Sequence, residues 1–368
     1  MNNNNKGKNM TNLKKLGLSA LAGSLVAVSA QAGEMAVTGS ANVTIVHGET
    51  VHSNKSIGTD KDVAFTGTGE LDNGFSFTVS TLLTDAYAVS SSYTSLTMGS
   101  LGTLKTGYNT GGAGGKFDEE VPQAYEQSSD ALGNSADLVG NQMDSGAIQY
   151  TSPAIDIAGL SLTIDAEYSP QATDSNNADG GQATYSETFG SGYGLGATAT
   201  YEGLTVGAYG TERDNITPNH VSVDAQGDGF EGAWYAKYSF GPISIGYSET
   251  YLDNGTDGVA AGAEAITIAK VARTADGIFS SESMSIAYNV NENLSLSFTT
   301  TDDTYDAQAN VAGADGIADV TASTDALQIA YSMGAMSVKA YQMETKNPGY
   351  DSDAAKMSVT EIALGLAF

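Results

Sequence analysis

The stretch Asn109–Ser145 concentrates the side chains that could do chemistry in this sequence. It opens with four glycines, and its carboxylates follow at Asp118, Glu119, Glu120, Glu126 and Asp130. Clustered carboxylates in a narrow water-filled passage select solutes by size and charge. Glycines permit a sharp turn, so this segment, here called the third loop, can fold back into a wide structure. We predict that the five acids line such a constriction; the alternative is an ordinary solvated surface loop.

Catalytic groups are scarce in this chain. The three histidines, His47, His52 and His220, lie at a predicted strand end or in polar connections, and no Gly-x-Ser-x-Gly motif surrounds a serine. Cysteine is absent, which excludes disulfides, thiolate metal sites and thiol nucleophiles. The sequence therefore predicts that the protein is not an enzyme, with a membrane hydrolase based on a histidine as the remote alternative.

A partial calcium motif begins at Asp253 and reaches Glu264. Its third position is Gly255, where an oxygen ligand is expected, and its flanks resemble strands, whereas this type of site lies between helices. We predict no cofactor and no fixed metal site, although the acidic loops could bind Ca²⁺ loosely.

The elements that must position these residues are strands. Apolar and polar residues alternate with a period of two from Val63 to Leu71 and from Leu160 to Tyr168. The final segment alternates in the same way, with Ile362, Leu364, Leu366 and Phe368 on its apolar face. Such segments present an apolar face and a hydroxyl-rich face, which suits either a membrane barrel or a soluble sandwich.

Connection lengths distinguish these two folds. Short turns rich in Gly, Asn and Asp alternate along the chain with long polar connections such as 48–61, 169–189 and 252–280. Compact soluble domains rarely contain so many long irregular loops, whereas membrane barrels have tight turns at one end and long loops at the other. The pattern predicts an all-β protein, a transmembrane antiparallel β-barrel of about 16 strands, with the third loop folded into its lumen.

The N-terminal segment predicts export. Residues 1–32 contain four lysines, then about 13 apolar or small residues, then Ala30-Gln31-Ala32. This order is typical of a signal peptide, and the apolar run is shorter than the roughly 20 residues that span a bilayer. We therefore assign residues 1–32 to a signal peptide and residues 33–368 to the barrel.

The chain is strongly acidic. It contains 43 Asp and Glu against 15 Lys and Arg, and removing residues 1–32 would leave a net charge near −32. Such a chain lacks the basic contacts on which nucleic-acid binding depends. Solvated acidic loops or an acidic, cation-favouring lumen explain the charge. Three basic residues, Lys105, Arg213 and Lys237, have inward parity and are candidates to face the loop acids across the lumen.

The export segment, the start Gly33-Glu34-Met35-Ala36-Val37, the third loop and the Phe368 ending resemble those of the Gram-negative general porins, with the alphaproteobacterial type most similar. The resemblance implies a homotrimer in the outer membrane, in contact with lipid and lipopolysaccharide. It also implies that the third loop narrows the pore and that Ile362, Leu364, Leu366 and Phe368 are recognised by the outer-membrane assembly machinery. Porin constrictions usually set several arginines against the acidic loop, but this chain has only Arg213 and Arg273.

These observations predict a porin that passes small hydrophilic solutes and ions by passive diffusion with a weak preference for cations. A channel selective for a sugar or an anion, or a non-conducting structural or adhesive barrel, are the alternatives.

Overall fold

The computed structural model describes residues 33–49, 56–85, 88–128, 139–140, 142–172, 189–215, 228–253, 278–306 and 319–368. Nearly all regular structure in these residues is β, and none of their helices is long and apolar enough to cross a membrane. The strands are β1 (Met35–Glu49), β2 (Ser56–Glu70), β3 (Ser76–Leu83), β4 (Val89–Thr97), β5 (Thr103–Tyr108), β6 (Ile148–Thr151), β7 (Ile155–Ile157), β8 (Leu160–Ser169), β9 (Phe189–Tyr201), β10 (Leu204–Asn215), β11 (Gly229–Phe240), β12 (Ile243–Asp253), β13 (Ile278–Asn291), β14 (Leu294–Asp306), β15 (Val320–Met333), β16 (Met336–Lys346) and β17 (Met357–Ala367).

The strands form one closed antiparallel barrel. β1 pairs with β2 on one side and with β17 on the other, so the first and last strands complete the ring. The closure extends to the last residue, because Gly39 and Phe368 exchange two backbone hydrogen bonds of 3.0 Å. β6 and β7 flank Pro153 and both pair with β8, so they share one of the sixteen places in the ring. The predicted fold class is confirmed.

Most exposed large apolar side chains of the strands point away from the lumen, whereas those that point inward, such as Phe279 and Met343, are buried in clusters. Leu195, Met284 and Leu327 are each more than half exposed, whereas their inward neighbours are small or polar. Exposed outward aromatic residues mark the same surface: Tyr168, Tyr193, Tyr201, Phe230, Trp234, Tyr238, Phe240, Tyr288, Phe298 and Tyr331. An apolar exterior with aromatic residues on a sheet closed by the pairing of its first and last strands suits contact with lipid.

The strands extend beyond their predicted ends on the long-loop side. The sequence predicts a loop over 48–61, but β1 continues to Glu49 and β2 begins at Ser56, with Val46 paired to Ser56. Backbone pairing does not require apolar side chains. The polar run Thr59–Asp62 therefore lies in a strand, although apolar alternation does not predict one there. The short β7 was missed for a similar reason, because it is only three residues long.

Candidate functional site: the third loop and the lumen wall

The third loop leaves β5 and returns to β6 through a tied base. The Asn109 N–H donates to Ser145 Oγ at 2.8 Å, and the Thr110 N–H donates to the Asp144 carbonyl at 2.9 Å. Gly111 and Gly112 have φ of 73° and 60°, which non-glycine residues rarely adopt. The glycines therefore permit the turn into the barrel, as the sequence predicts.

Phe117 anchors the loop to the wall. Its ring is fully buried and stacks on Tyr209 of β10 at a centroid distance of 5.3 Å, with Tyr235 of β11 at 6.2 Å. The neighbouring strand β9 has glycine at its inward positions here, and a Cβ on Gly196 would lie 2.8 Å from the Phe117 ring. Inward glycine thus creates the space that the anchor occupies.

The following segment, Asp118–Ser128, runs along the inner wall. The Ala124 N–H donates to Ser297 Oγ at 2.9 Å, and the Tyr125 N–H donates to Gln328 Oε1 at 2.7 Å. The Tyr125 hydroxyl donates to Glu361 Oε1 at 2.6 Å. Its other wall contacts are Glu120 with Lys237, Pro122 with Ser285, the Glu126 carbonyl with Gln328, and Ser128 with Thr301. Together with Lys116 and Phe117, the loop contacts strands from β8 to β17 on one side of the lumen.

Two wall carboxylates hold the loop by its backbone. Glu167 of β8 accepts the Ala113 N–H at 2.6 Å, and Glu231 of β11 accepts the N–H groups of Gly140 and Gln142 at 2.8 and 2.9 Å. Sequence reasoning gave neither glutamate a function. Their inward parity was the available signal, since a carboxylate buried in the lumen requires several donors.

The predicted constriction acids occupy different environments. Asp118 and Glu119 are buried, with 6 % and 5 % of their surface exposed. Glu120 is partly exposed and forms an ion pair with Lys237 of β11. Glu126 is partly buried near the end of the described segment, and Asp130 lies outside the described residues.

The carboxyl group of Glu126 lies among other ionisable groups. Burial raises its pKa, the charge of Glu361 on β17 raises it further, and Lys339 of β16 lowers it. Lys339 also lies over the Tyr125 ring, 4.9 Å from the centroid. Burial and the bond to Glu361 raise the pKa of the Tyr125 hydroxyl, which therefore remains a hydrogen-bond donor.

The three basic candidates all point inward, but they differ in their partners. Lys237 contacts the loop acid Glu120 on its own side of the lumen. Arg213 is buried, with 8 % of its surface exposed, and Glu231 lies within electrostatic range. Lys105 of β5 lies over the Tyr93 ring at 5.5 Å and lines the cavity at the base of the loop, near Lys116 and Glu167, and no ion pair joins it to a loop acid in the described residues. A transverse field across the pore therefore remains a prediction that concerns Lys105.

The last strand presents its apolar residues outward. Ile362, Leu364 and Leu366 are between 38 % and 50 % exposed, and Phe368 is 73 % exposed. Recognition of these residues by the assembly machinery remains a prediction. His47 lies on the outward face near the end of β1, whereas His52, His220 and residues 254–264 of the partial calcium motif lie outside the described residues.

The closed ring, the apolar exterior and the loop folded along one side of the lumen define an outer-membrane β-barrel channel. The chain belongs to the Gram-negative porin family, because a family profile of that description matches residues 17–366.

Solved porin structures share this fold. The chain is 14 % identical to OmpF of Salmonella typhi, in a complex with daunomycin, with a TM-score of 0.60 and coverage of 91 % of this chain and 98 % of that one. It is 13 % identical to the anion-selective porin from Comamonas acidovorans, with a TM-score of 0.59 and coverage of 91 % and 100 %. It is 14 % identical to OmpT of Vibrio cholerae in its trimer form, with a TM-score of 0.58 and coverage of 92 % and 100 %. No curated protein matches the sequence.

Proposed function

We propose that the protein is a passive outer-membrane channel for small hydrophilic solutes and ions, with a weak preference for cations. The observation that carries this proposal is that the third loop contacts one side of the lumen, from β8 to β17, while hydroxyl-bearing strands face it from the other side. Inward residues of those strands include Thr66, Thr78, Ser80, Ser95 and Thr103. Short hydroxyl side chains leave room for water and bind solutes weakly. The porin is exported through the periplasm after loss of residues 1–32.

Purified protein in planar bilayers should produce stepwise increases in conductance. A salt gradient should give a reversal potential of the sign expected for cation permeation. Absence of any conductance step would refute the channel and favour a structural barrel. Conductance with the opposite reversal potential would refute only the cation preference.

A cavity at the base of the loop favours a second candidate, a channel with a solute-binding site. This cavity of about 550 Å³ is lined by Lys105, Lys116, Gln149, Thr151 and Asp165 among other residues. Its lysines and amide could hold a small carboxylate or a sugar while it crosses the barrel. A current that saturates, and that such a solute blocks in the wild type but not in Lys105→Met, would favour this candidate over free diffusion.

A homotrimer is proposed from the distribution of outward side chains. Most outward aromatic residues lie on β8–β15, with Phe65 of β2 and Tyr108 of β5 among the exceptions, whereas β4 and β5 present hydroxyls at Ser92, Thr94 and Thr106. A surface with hydroxyls and few aromatic residues suits contact with another subunit better than contact with hydrocarbon. The similar Vibrio cholerae OmpT has a trimer form. Thr94→Trp should shift the detergent-solubilised protein toward monomers, while Ala199→Trp on the aromatic side should not.

Contact with lipopolysaccharide is proposed at the long-loop end of the barrel. Glu249, Glu282 and Asp302 are register neighbours on the outward faces of β12, β13 and β14, each four residues from a strand end. The described residues group no three such side chains into a metal site of the protein's own, but Ca²⁺ carried by lipid phosphates would lower the repulsion between these like charges and so bridge the two surfaces. Calcium-dependent retention of lipopolysaccharide should fall in Glu282→Gln, and unchanged retention would refute the bridge.

A further inference from the structure

Several of the charges on the loop-covered side of the lumen are paired with an opposite charge. Lys116 forms an ion pair with the buried Asp165, and Lys237 forms one with Glu120. Glu126 lies near both Lys339 and Glu361. Close pairing of opposite charges cancels most of the field that a passing ion experiences a few ångströms away. The loop side therefore contributes less net charge to the pore than its sequence suggests.

Two carboxylates on the wall formed by β1–β5, opposite the loop-covered side, lack such pairing in the described residues. Asp60 and Asp62 lie near the middle of β2, opposite Asn42 and Ser40 of β1. The same alternation that sends Phe65 outward directs both aspartates into the lumen. Each is partly exposed, and in the described part of the chain neither makes an ion pair or a side-chain hydrogen bond.

The lysine between them in the sequence does not neutralise them. Lys61 points to the opposite face of β2, and its Nζ lies 3.4 Å from the carboxylate of Asp85. Among the inward residues described on β1–β5, the other charged groups are Glu70, at the far end of β2, and Lys105 of β5. The middle of the wall formed by β1–β5 thus presents two negative charges without an ion-pair partner in the described residues. The positive charge of Lys105 lies three strands away.

We infer that Asp60 and Asp62 are the specificity-determining residues of the channel, and that they set its cation preference in place of the third-loop acids. This inference rests on the proposed function and names the residues behind its selectivity. A carboxylate held on a rigid strand beside confined water raises the local concentration of cations and lowers that of anions. Because both charges face the lumen without an ion-pair partner among the described residues, permeating ions experience them more strongly than Asp118 and Glu119, which are buried.

The test is the K⁺/Cl⁻ permeability ratio, obtained from reversal potentials of single channels in a KCl gradient. Asp60→Asn/Asp62→Asn, which preserves side-chain size, should lower the ratio by about twofold to fivefold, and this effect should shrink at high salt, where charges are screened. Lys105→Met should raise the ratio. Asp118→Asn/Glu119→Gln should leave it nearly unchanged. Asp325→Asn, at an exposed position on the outward face of β15, is the control for a lost charge outside the lumen.

An unchanged ratio in Asp60→Asn/Asp62→Asn would overturn the inference, as would a larger drop in the loop variant. Failure of the proposed function gives a different result, because the wild type itself would then show no conductance. If the wild type conducts but favours anions, a shift toward still stronger anion preference in Asp60→Asn/Asp62→Asn supports the inference, and no shift refutes it. The difference in electrophoretic mobility between heated and unheated samples confirms that each variant barrel is folded.

Discussion

The ring of Phe117 in the third loop stacks on Tyr209 of β10, with the ring planes only 20° apart. This contact places an apolar anchor inside a lumen that is otherwise hydroxyl-rich. The Tyr209 hydroxyl in turn donates to Glu167, which also accepts the Ala113 N–H, so apolar and polar contacts fix the same part of the loop. The loop position is thus determined by a small group of wall residues on β8, β9 and β10.

Enlarging Gly196 should displace this anchor. A Cβ there would lie 2.8 Å from the Phe117 ring, so Gly196→Ala should weaken loop docking by about 1–3 kcal/mol through overpacking. Limited proteolysis of the folded barrel should therefore cut the loop faster. Gly67→Ala on β2 is the matched control, because a Cβ there would meet no atom within 4 Å. Equal cleavage rates in the two variants would contradict the anchoring function of Phe117.

Removing the Glu231 carboxylate should release the end of the third loop around Gly140 and Gln142 from the wall. Glu231→Ala leaves the N–H groups of Gly140 and Gln142 without their acceptor, at a cost of about 1–3 kcal/mol for each buried group. Amide hydrogen exchange at these two residues should accelerate at least tenfold. Glu344→Ala removes an exposed partner of Lys356 and should have little effect on the same amides. Unchanged amide exchange rates at Gly140 and Gln142 in Glu231→Ala would show that other contacts hold this part of the loop.

The pH dependence of loop docking should follow Glu126. Its pKa is raised above the ordinary 4.5 in the docked loop, so the docked state binds this proton more tightly than the free loop does. The resulting stabilisation is complete below pH 4.5 and is lost as pH rises through the raised pKa. Open-channel current noise should therefore increase from pH 4 to pH 8 in the wild type.

Glu126→Gln imitates the protonated form, so its noise should be low and should depend less on pH. Glu120→Gln, which removes a loop acid paired with Lys237, is the control and should retain the wild-type dependence on pH. A Glu126→Gln variant with an unaltered pH profile would show that Glu126 does not control the pH dependence of loop docking.

Phe368 should matter more for assembly than for the stability of the finished barrel. Its ring is 73 % exposed, and its hydrogen bonds to Gly39 involve only backbone atoms. Phe368→Ala should therefore refold in detergent with nearly wild-type thermal stability but reach the outer membrane of cells at much lower levels. A comparable loss in both assays would assign Phe368 to barrel stability and remove the support for an assembly signal.

Particular residues show how far sequence patterns reach. Ile362, Leu364 and Leu366 were placed outward by alternation alone, and the structure confirms that face. The same rule placed Lys105, Arg213 and Lys237 inward, but it gave no information on their partners, because partners come from distant parts of the chain. Glu231 is 89 residues from Gln142, to which it is bonded.

The sequence by itself determined the class of fold, because the period of two records which face of each strand meets lipid and which meets water. It also indicated sixteen strands and a glycine-hinged loop long enough to enter the barrel. Only the tertiary structure decided which charges face the pore. Ring closure and the path of the loop bury Asp118 and Glu119 against one wall and leave Asp60 and Asp62 on the other without an ion-pair partner among the described residues. Alternation fixes the direction of a side chain from local geometry, whereas its exposure and its partner depend on which distant strand or loop lies opposite.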